Sequence, residues 1–319
     1  MTVLVWGVPS EAPVALTLAA LADLGADTLV ISPRPGEDVA VDVELSAQPA
    51  GAGLSGTVRA SGRRVALAGV TGAYLRPVEP ELVPGLSELP PDAPAVVRAR
   101  RVYGVLAGLT ETAPLTAGWR VANPLSAMAS NLSKPFQAQA VLRHGFATPE
   151  TLISDDVAEV RDFAARHGEV VYKSISGVRS VVTAFSPRTD LDRLDRLRWC
   201  PVQFQERVGG PDVRVHVVGE ETFAVIVHTD AVDYRYARAQ VGVDARVTSY
   251  RLGDDIAERC VTLAADLGLP FAGIDLKLAP DGRVVCFEVN PSPGYSFFEQ
   301  VTGVPISGAL ARWLLAAGS

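Results

Sequence analysis

The chain has 319 residues, of which 48% are hydrophobic and 20% are charged, and its formal net charge is −7. This composition is typical of a globular protein, and the length predicts two or three domains at about 100–200 residues each. The acidic balance argues against non-specific binding to nucleic acid, and no apolar run reaches the roughly 18 residues of a membrane span.

Neither the N-terminus nor the cysteines indicate an exported protein. The segment Met1–Gly7 lacks the basic residues of a signal peptide and predicts a first strand instead. Cys200, Cys260 and Cys286 are far apart and form no Cys-x-x-Cys pair, which argues against a disulfide framework or a cysteine metal site. We therefore expect a cytoplasmic protein.

The first part of the chain predicts an α/β lobe. The turn Gly7–Ser10 after the first strand lacks the Gly-x-Gly-x-x-Gly pattern, so we expect no dinucleotide site there. The predicted elements are, in chain order, a buried strand at Val3–Trp6, a helix at Ala12–Leu24, strands at Thr28–Ile31 and Ala73–Pro77, and a helix at Ala95–Thr110.

A second region begins near Asn123 and alternates helices with short strands. Its first helix has Ser133 as a cap and Pro135 in the first turn, and it ends at Arg143 before Gly145. The predicted elements that follow are a strand at Leu152, a helix at Asp156–Arg166, strands at Val170–Lys173, Val202–Gln205, Val213–Val218 and Phe223–His228, and helices at Ile256–Leu267 and Ile306–Leu315.

The segment from residue 271 to residue 294 predicts a β-hairpin with its turn at Pro280–Gly282. Apolar residues alternate with polar ones on both sides of this turn. A two-residue loop, Asp281–Gly282, places Asp275 opposite Glu288 on one face, and we favour this register. A three-residue loop shifts the register by one residue and separates the two carboxylates unless a β-bulge restores their pairing.

Asp275, Glu288 and Asn290 form a candidate metal site on this hairpin. Two carboxylates that lie directly opposite each other on neighbouring strands repel, and a bound cation reverses the sign of that interaction. Carboxylate and amide oxygens suit Mg²⁺ held against the phosphates of a nucleotide. The alternative is a solvated hairpin face that carries two unrelated acids.

Two lysines are candidates for phosphate binding. Lys173 ends the apolar strand Val170–Lys173, and a lysine that is buried there needs an anionic partner. The small-residue loop Ser174–Arg179, which includes Ser176, lets backbone amides approach a phosphate. Lys134 precedes a predicted helix start, where we expect a second phosphate contact. The alternatives are an edge-strand lysine in solvent and an ordinary lysine at a helix start.

The junction Gln205–Val208 and the charged residues after it are candidate ligand contacts. A strand-to-loop junction offers backbone hydrogen bonds to an adenine edge, and an acid such as Asp212 accepts hydrogen bonds from ribose hydroxyls. Arg214 suits a γ-phosphate or an acyl-phosphate oxyanion, and Arg235 suits a substrate carboxylate. The alternatives are a surface ion pair for the first two charged residues and a surface loop for the third.

The order of these signals resembles the ATP-grasp superfamily in its RimK-like branch, from about Asn123 to the C-terminus and loosely in the N-terminal lobe. The chain is also similar to the graspetide (microviridin-type) synthetases, which install ω-ester and ω-amide crosslinks in ribosomal peptides. The residues that carry the first resemblance are Lys134, Lys173, Gln205, Glu206, Asp212, Arg214, Asp275, Glu288 and Asn290. The segments that carry the second are Thr148–Asp156, Val171–Ser174, Gln203–Glu206, Asp233–Arg235 and Thr302–Ile306.

The resemblance implies an α/β protein with α+β lobes in the ATP-grasp fold. Its parts are an N-terminal pre-ATP-grasp α/β domain at 1–122, a central lid-like subdomain at 123–204 and a C-terminal antiparallel-sheet lobe at 205–319. The implied cofactors are ATP and two Mg²⁺ ions.

The resemblance also assigns expected roles to the nucleotide-binding residues. Lys134 and Lys173 contact the phosphates of ATP, and the loop Ser174–Arg179 folds over them as a lid. The segment Gln205–Val208 holds adenine through Glu206 and the backbone of the next two residues, and Asp212 lies near the ribose.

The remaining roles concern metal binding and catalysis. Asp275, Glu288 and Asn290 hold the two Mg²⁺ ions. Arg214 stabilises the transferring phosphoryl group and the tetrahedral intermediate. With Lys173 and Arg235 it completes the expected catalytic set.

The implied reaction joins a carboxylate to an amine or an alcohol. ATP phosphorylates the carboxylate to an acyl phosphate and leaves as ADP, and the nucleophile then attacks the carbonyl and releases phosphate. Positioning and electrostatics dominate such chemistry, in keeping with four histidines that form no evident catalytic set. Expected partners are an acidic peptide or a small carboxylate with an amine or hydroxyl acceptor, without nucleic acid or membrane, and the resemblance is compatible with a homodimer.

The loop after the metal ligands leaves the substrate open. Graspetide enzymes usually follow the Asn-Pro with an Asn-Gly-Gln-aromatic run, whereas Asn290–Gly294 is closer to the loop of RimK-like amino-acid ligases. The substrate is then either a precursor peptide whose Asp or Glu side chains join Ser, Thr or Lys, or a free amino acid, dipeptide or small-molecule acid. A nucleotide-binding module without ligase activity and a small-molecule kinase are the remaining alternatives.

Overall fold

The computed structural model describes residues 1–34, 38–45, 53–173, 182–185, 194, 197–229, 238 and 242–316. Within this part of the chain, no helix combines the length and the apolar character needed to cross a membrane. The predicted mixture of α/β and antiparallel units is confirmed, and each unit is built around a sheet of its own.

The N-terminal unit is an α/β lobe. A parallel sheet in the order β2-β1-β6-β7 lies beside a small antiparallel sheet in the order β3-β4-β5, and helices Ala12–Asp23 and Pro94–Ala117 complete the lobe. The first strand is buried along its whole length, as its unbroken apolar run predicts. The strands are β1 (Thr2–Gly7), β2 (Asp27–Ile31), β3 (Ala40–Leu45), β4 (Leu54–Ala60), β5 (Arg63–Ala66), β6 (Val70–Arg76) and β7 (Arg120–Ala122).

The central unit is a small antiparallel sheet with one helix on it. The sheet order is β10-β9-β11-β8, and helix Val157–His167 covers one face through Val160, Phe163 and Ala164. Asp156 caps this helix by accepting hydrogen bonds from the amides of its first turn. The strands are β8 (Thr151–Ser154), β9 (Val170–Lys173), β10 (Thr183–Phe185) and β11 (Val202–Glu206).

The C-terminal unit is a larger antiparallel sheet in the order β14-β13-β12-β15-β16. Helix Asp254–Asp266 and helix Lys134–Arg143 cover one face, and together they bury the main apolar core of this unit. Helices Ser296–Thr302 and Ile306–Leu315 follow the last strand. The strands are β12 (Asp212–Val218), β13 (Glu221–His228), β14 (Arg246–Tyr250), β15 (Phe271–Leu278) and β16 (Val284–Asn290).

Two helices pack outside the predicted part of the chain to which they belong. Helix Lys134–Arg143 lies on the C-terminal sheet, and helix Ile306–Leu315 packs against the N-terminal sheet and its first helix. Strand β11 spans the predicted boundary between residues 204 and 205. The three-part division therefore stays a prediction, and the units share elements across it.

Asn123 fastens the N-terminal lobe to the C-terminal sheet. It is buried, its side-chain nitrogen donates to the carbonyls of Phe271 and Pro291, and its side-chain oxygen accepts from the amide of Phe271. Pro291 follows Asn290 directly, so this junction also fixes the loop that carries a predicted metal ligand. A single buried amide thus couples the lobe interface to the candidate site.

We predict that Asn123→Ala lowers the free energy of unfolding by about 2–4 kcal/mol, because it leaves buried backbone groups without partners. Urea denaturation measures this change. Ser126→Ala is the matched control, since its exposed side chain bonds only to the surface carboxylate of Glu111. Equal stability losses in the two variants would contradict the role of Asn123.

Candidate active site

A cleft of about 1350 Å³ lies between the central sheet and the C-terminal sheet. It collects the predicted site residues that the structure describes, although they come from separate parts of the chain. Those residues are Lys134, Lys173, Gln205, Glu206, Arg207, Val208, Asp212, Arg214, Asp275, Glu288 and Asn290.

The predicted pairing of Asp275 with Glu288 is confirmed, but the turn that we favoured is wrong. The amide of Ala279 donates a hydrogen bond to the carbonyl of Arg283, so these two residues pair and three residues, 280–282, remain in the loop. A register shift between Asp275 and Leu276 then restores the pairing of the carboxylates. As expected for a three-residue loop, it is a β-bulge that keeps the two carboxylates together.

The bulge decides which face of the sheet Glu288 occupies. Cys286 pairs with Leu276 and is buried in the core, whereas strict alternation would place Glu288 on the same side as Cys286. The extra residue, Phe287, turns Glu288 to the cleft instead. A charge that would be costly in the core therefore becomes available to a ligand.

Three neighbouring strands place their polar residues in one row on the cleft face. Arg214 of β12 lies opposite Asp275 of β15, and Asp275 lies opposite Glu288 of β16. Nη1 of Arg214 is 2.6 Å from Oδ1 of Asp275, and Nζ of Lys134 is 3.5 Å from Oε2 of Glu288. The row thus runs positive, negative, negative, positive, and the outer cations offset the repulsion between the two acids.

Lys134 reaches this row because of the helix that it begins. Ser133 caps helix Lys134–Arg143 as predicted, through a hydrogen bond from the amide of Phe136. From the same helix, Gln137 donates to the carbonyl of Val289 and accepts from its amide. Gln137 therefore satisfies the free edge of β16 and fixes the distance between the helix and the strand that carries Glu288.

Arg214 lies in a slot that only glycine permits. A Cβ atom at Gly273 would be 2.1 Å from Nη2 of Arg214 and 2.7 Å from Cβ of Pro293. The guanidinium therefore packs between the backbone of β15 and the loop after Asn290. Burial of Arg214, which is 5% exposed, keeps its charge at the centre of the site.

The N-terminal lobe holds the loop that closes over Arg214. Arg76, at the end of β6, donates to the carbonyl of Pro293 over 3.1 Å and to the Glu11 carboxylate over 3.0 Å. Within the loop, Oδ1 of Asn290 accepts from the amide of Ser292 over 2.9 Å. The N-terminal lobe thus positions the loop that follows Asn290.

One end of the cleft is formed by Gln205–Val208, the junction predicted to hold adenine and here called the hinge. Glu206 accepts from Nη1 of Arg283 over 3.0 Å, so its side chain ties the hinge to the hairpin turn. The amide of Arg207 donates to the carbonyl of Glu169. Gln205 is buried and donates to Oγ1 of Thr151, which fixes the strand that leads into the hinge.

Asp212 lies at the start of β12, one pleat away from Arg214 on the cleft face. Its carboxylate pairs with Nζ of Lys277 over 3.1 Å, and it does not form the ion pair with Arg214 that we considered as an alternative. Lys173 also lines the cleft, at the end of β9. Ser176, Arg235 and the predicted lid Ser174–Arg179 lie outside the residues that the structure describes.

Sequence reasoning missed four residues that shape this site. Lys277 and Gly273 each lie two residues from Asp275, so the period-two pattern of β15 was the signal that places them on the cleft face. Gln137 and Arg76 have no such local signal, because their partners lie far away in the sequence.

His216 lies on the cleft face behind Arg214 and is fully buried. Within the described part of the chain, neither imidazole nitrogen has a hydrogen-bond partner, and the ring packs against Phe298 with a centroid separation of 5.5 Å. Burial holds the pKa of His216 well below its usual value, and the Arg214 charge lowers it further. His216 is therefore neutral and adds no charge beside the arginine.

A family model described as the RimK-like ATP-grasp domain matches residues 133–314. A probable alpha-L-glutamate ligase of Enterobacter sp. (strain 638) is 32% identical in an alignment 190 residues long that covers 55% of this chain and 61% of that relative. A ribosomal protein bS6–L-glutamate ligase of Salmonella paratyphi B is 32% identical over 186 residues, again 55% and 61% of the two chains. The chain thus spans 61% of the length of these curated relatives.

Solved structures resemble the chain over nearly its whole length. The ATP-grasp ligase PsnB, complexed with a phosphomimetic variant of a minimal precursor, Mg and ADP, has a TM-score of 0.76 at 26% identity and covers 99% of this chain and 98% of its own. The macrocyclase MdnC of Microcystis aeruginosa MRC, bound with the precursor peptide MdnA, has a TM-score of 0.76 at 22% identity and covers 99% of both chains. The second likeness shows the fold alone, and both agree with the predicted fold class.

We predict that His216 makes the protein less stable in acid. Its folded-state pKa lies below the unfolded value of about 6.5, so its stabilising contribution is present above that pH and is lost as the pH falls. Between about pH 7.5 and about pH 5.0, the melting temperature should fall less in His216→Leu than in the unmodified protein.

His228→Leu is the control for this comparison, because His228 is an exposed histidine at the end of β13. It should show the same pH dependence as the unmodified protein. Parallel melting curves for His216→Leu and the unmodified protein over this pH range would refute the role of His216.

Proposed function

Because the chain belongs to the RimK-like ATP-grasp domain family, we propose that it is an ADP-forming ligase that activates a carboxylate as an acyl phosphate. The observation that carries this proposal is the row of Arg214, Asp275, Glu288 and Lys134 on the floor of the cleft. Paired acids between two cations are suited to bind metal ions, and the arginine and lysine that they release are then available to phosphate oxygens.

The donor set of the row fits Mg²⁺. Asp275 and Glu288 supply carboxylate oxygens, and Asn290, which pairs with Gly273 in the adjoining row, supplies an amide oxygen. These are the hard oxygen ligands that Mg²⁺ prefers, and we propose two ions. When bound, they would neutralise the phosphate charge of ATP, and Lys134 and Arg214 would supply further positive charge to the phosphates.

The hinge end of the cleft suits the base and the ribose of ATP. The strand β11 leads into Arg207–Gly210 at the edge of the cleft, where Val208 is a buried apolar residue. Because the Arg207 amide already has a partner, we assign the base contacts to the flanking backbone and to Val208. Asp212 and Lys277 form the polar patch between the hinge and the row, and we assign phosphate binding to Lys173, which lines the same cleft.

In the proposed reaction, a carboxylate oxygen of the substrate attacks the γ-phosphorus of ATP, and ADP leaves. An amine or hydroxyl then attacks the acyl carbonyl, the bond to phosphate breaks, and the nucleophile loses its proton. Arg214 carries the fixed positive charge for both steps, since its guanidinium is held in the slot at Gly273. His216 behind it is neutral and adds no second positive charge there.

We propose a ribosomal precursor peptide as the substrate, with ω-ester or ω-amide bonds as the product. PsnB and MdnC are each described with a precursor peptide, and their likeness extends over the N-terminal lobe. The lobe matters because its Arg76 and Asn123 support the loop beside Arg214. A homodimer and a location in the cytoplasm are also part of the proposal.

A second candidate is the addition of an amino acid to a carboxylate. The observation that favours it is the 32% identity with the glutamate ligases, which is higher than the identity with the peptide-bound structures. Mass spectrometry after incubation with ATP, Mg²⁺ and candidate peptides encoded near this gene distinguishes the two. Loss of one water for each bond indicates crosslinking, and gain of an amino-acid residue mass indicates ligation.

We predict that Glu288→Gln lowers Mg²⁺-dependent ADP release at least about 100-fold, because metal-ion charge stabilisation contributes several kcal/mol to such reactions. A coupled assay of ADP formation measures this loss, and thermal melting checks that the fold survives. Glu221→Gln is the control, since Glu221 is an exposed acid on β13. Undiminished turnover with the same metal dependence in Glu288→Gln would exclude the metal assignment.

We predict that Gly273→Ala also lowers ADP release about 100-fold, because the added methyl group displaces the Arg214 guanidinium from its slot. The same assay measures the effect. Gly108→Ala is the matched control, since its Cβ would meet no atom within 4 Å. Normal turnover in Gly273→Ala would show that the position of Arg214 does not limit the reaction.

A further inference from the structure

One wall of the cleft is apolar and exposed. Helix Ser296–Thr302 begins six residues after Asn290 in the sequence and presents Phe297 and Val301 to the cleft. These side chains are 51% and 53% exposed, and their four-residue spacing places them on one face of the helix. Leaving two large apolar groups in water on an ordered helix is unfavourable, which suggests that a ligand covers them.

The helix cannot turn to bury this face. The Tyr295 hydroxyl before it donates to the carbonyl of Pro13 over 2.7 Å, and Glu299 accepts from the amide of Ser307 over 2.7 Å. Phe298, next to Phe297, is buried against strands of the C-terminal sheet. The start, the middle and the buried side of the helix are therefore fixed, and the outward position of Phe297 is imposed by the fold.

The apolar wall continues from the helix to the reaction centre. Ala245 and Val247 extend it along β14 and also line the cleft. Phe298 packs on Val225, which lies directly opposite Arg214 on the neighbouring strand, at a strand spacing of about 4.8 Å. The wall therefore flanks Arg214 on the side away from Glu288.

The chemistry of the wall favours one kind of occupant. Within the described residues of this wall, the only charged side chain is the exposed acid Asp244, which pairs with Arg238 over 3.5 Å. A free amino acid would bring an ammonium and a second carboxylate against phenylalanine and valine, where their desolvation is costly. An aliphatic or aromatic side chain instead gains free energy in proportion to the apolar surface that it buries there.

We infer that Phe297, Val301, Ala245 and Val247 form a specificity subsite for an apolar side chain of a peptide substrate, next to the Asp or Glu that is activated. This inference rests on the proposed function, since it assigns a substrate class to the same cleft. The subsite selects peptides in which the reacting acid has an aliphatic or aromatic neighbour, and it discriminates against free glutamate.

Two N-acetylated peptide amides test the subsite, one with the glutamate between leucines and one with the glutamate between glycines. With saturating ATP and Mg²⁺, the KM from ADP release should be at least about 10-fold lower for the leucine peptide, as expected for filling an apolar pocket. In Phe297→Ser/Val301→Ser this difference should disappear, through a rise in the KM for the leucine peptide. Phe297→Leu should keep it.

Phe136→Ser is the matched control. Phe136 is 52% exposed, as Phe297 is, but it does not line the cleft, so the KM ratio should not change. Equal KM values for the two peptides in the unmodified protein would overturn the subsite, and so would a ratio that persists in the double variant. Calorimetric titration of both peptides with ADP and Mg²⁺ present measures the same preference without turnover.

These outcomes separate the subsite from the proposed function. If the leucine peptide binds more tightly but no carboxylate stimulates ADP release, the subsite holds and the ligase proposal fails. If ADP release occurs without a preference between the peptides, the ligase proposal holds and the subsite is wrong.

Discussion

The candidate site depends on the placement of two acids side by side on neighbouring strands. Asp275 and Glu288 repel each other, and the fold accepts them because Arg214 and Lys134 flank the pair. A partly buried acid that loses its cation is strongly unfavourable, so each of the four charges constrains the other three. The β-bulge at Phe287 belongs to this constraint, since it turns Glu288 from the core to the cleft while Cys286 stays buried.

Parts of the chain far from the row support these charges. Lys134 begins a helix whose Gln137 forms a hydrogen bond to the edge of β16. Arg214 is covered by a loop whose Pro293 carbonyl accepts a hydrogen bond from Arg76 of the N-terminal lobe. Such buried or half-buried hydrogen bonds are individually modest, but they fix groups that must lie within fractions of an ångström of a reacting ligand. The N-terminal lobe is therefore part of the site's structural support, although it contributes no residue to the row itself.

How much the sequence predicts depends on how local each feature is. The paired strands, the cap at Ser133 and the meeting of Asp275 with Glu288 follow from periodicity and turn chemistry within a few residues. The bulge was harder to predict, because two- and three-residue loops fit the same turn and the choice depends on packing across the sheet. Partners such as Arg76 and Pro293 are separated by more than 200 residues, and no local pattern records their contact.

The same distinction bears on the substrate. The residues that we propose for phosphoryl transfer lie within 133–314, the range matched by the RimK-like ATP-grasp family model, so the family match concerns the chemistry of activation more than the choice of acid. Selectivity must come from surfaces beside the row, and on the described side of Arg214 that surface is made of Phe297, Val301 and their neighbours. Apolar contact distinguishes substrates by their flanking side chains, and it does not compensate the desolvation of the second carboxylate of a free amino acid. A peptide with an apolar residue beside the reacting acid satisfies both halves of the cleft, because its carboxylate meets the charges and its neighbour covers the exposed wall.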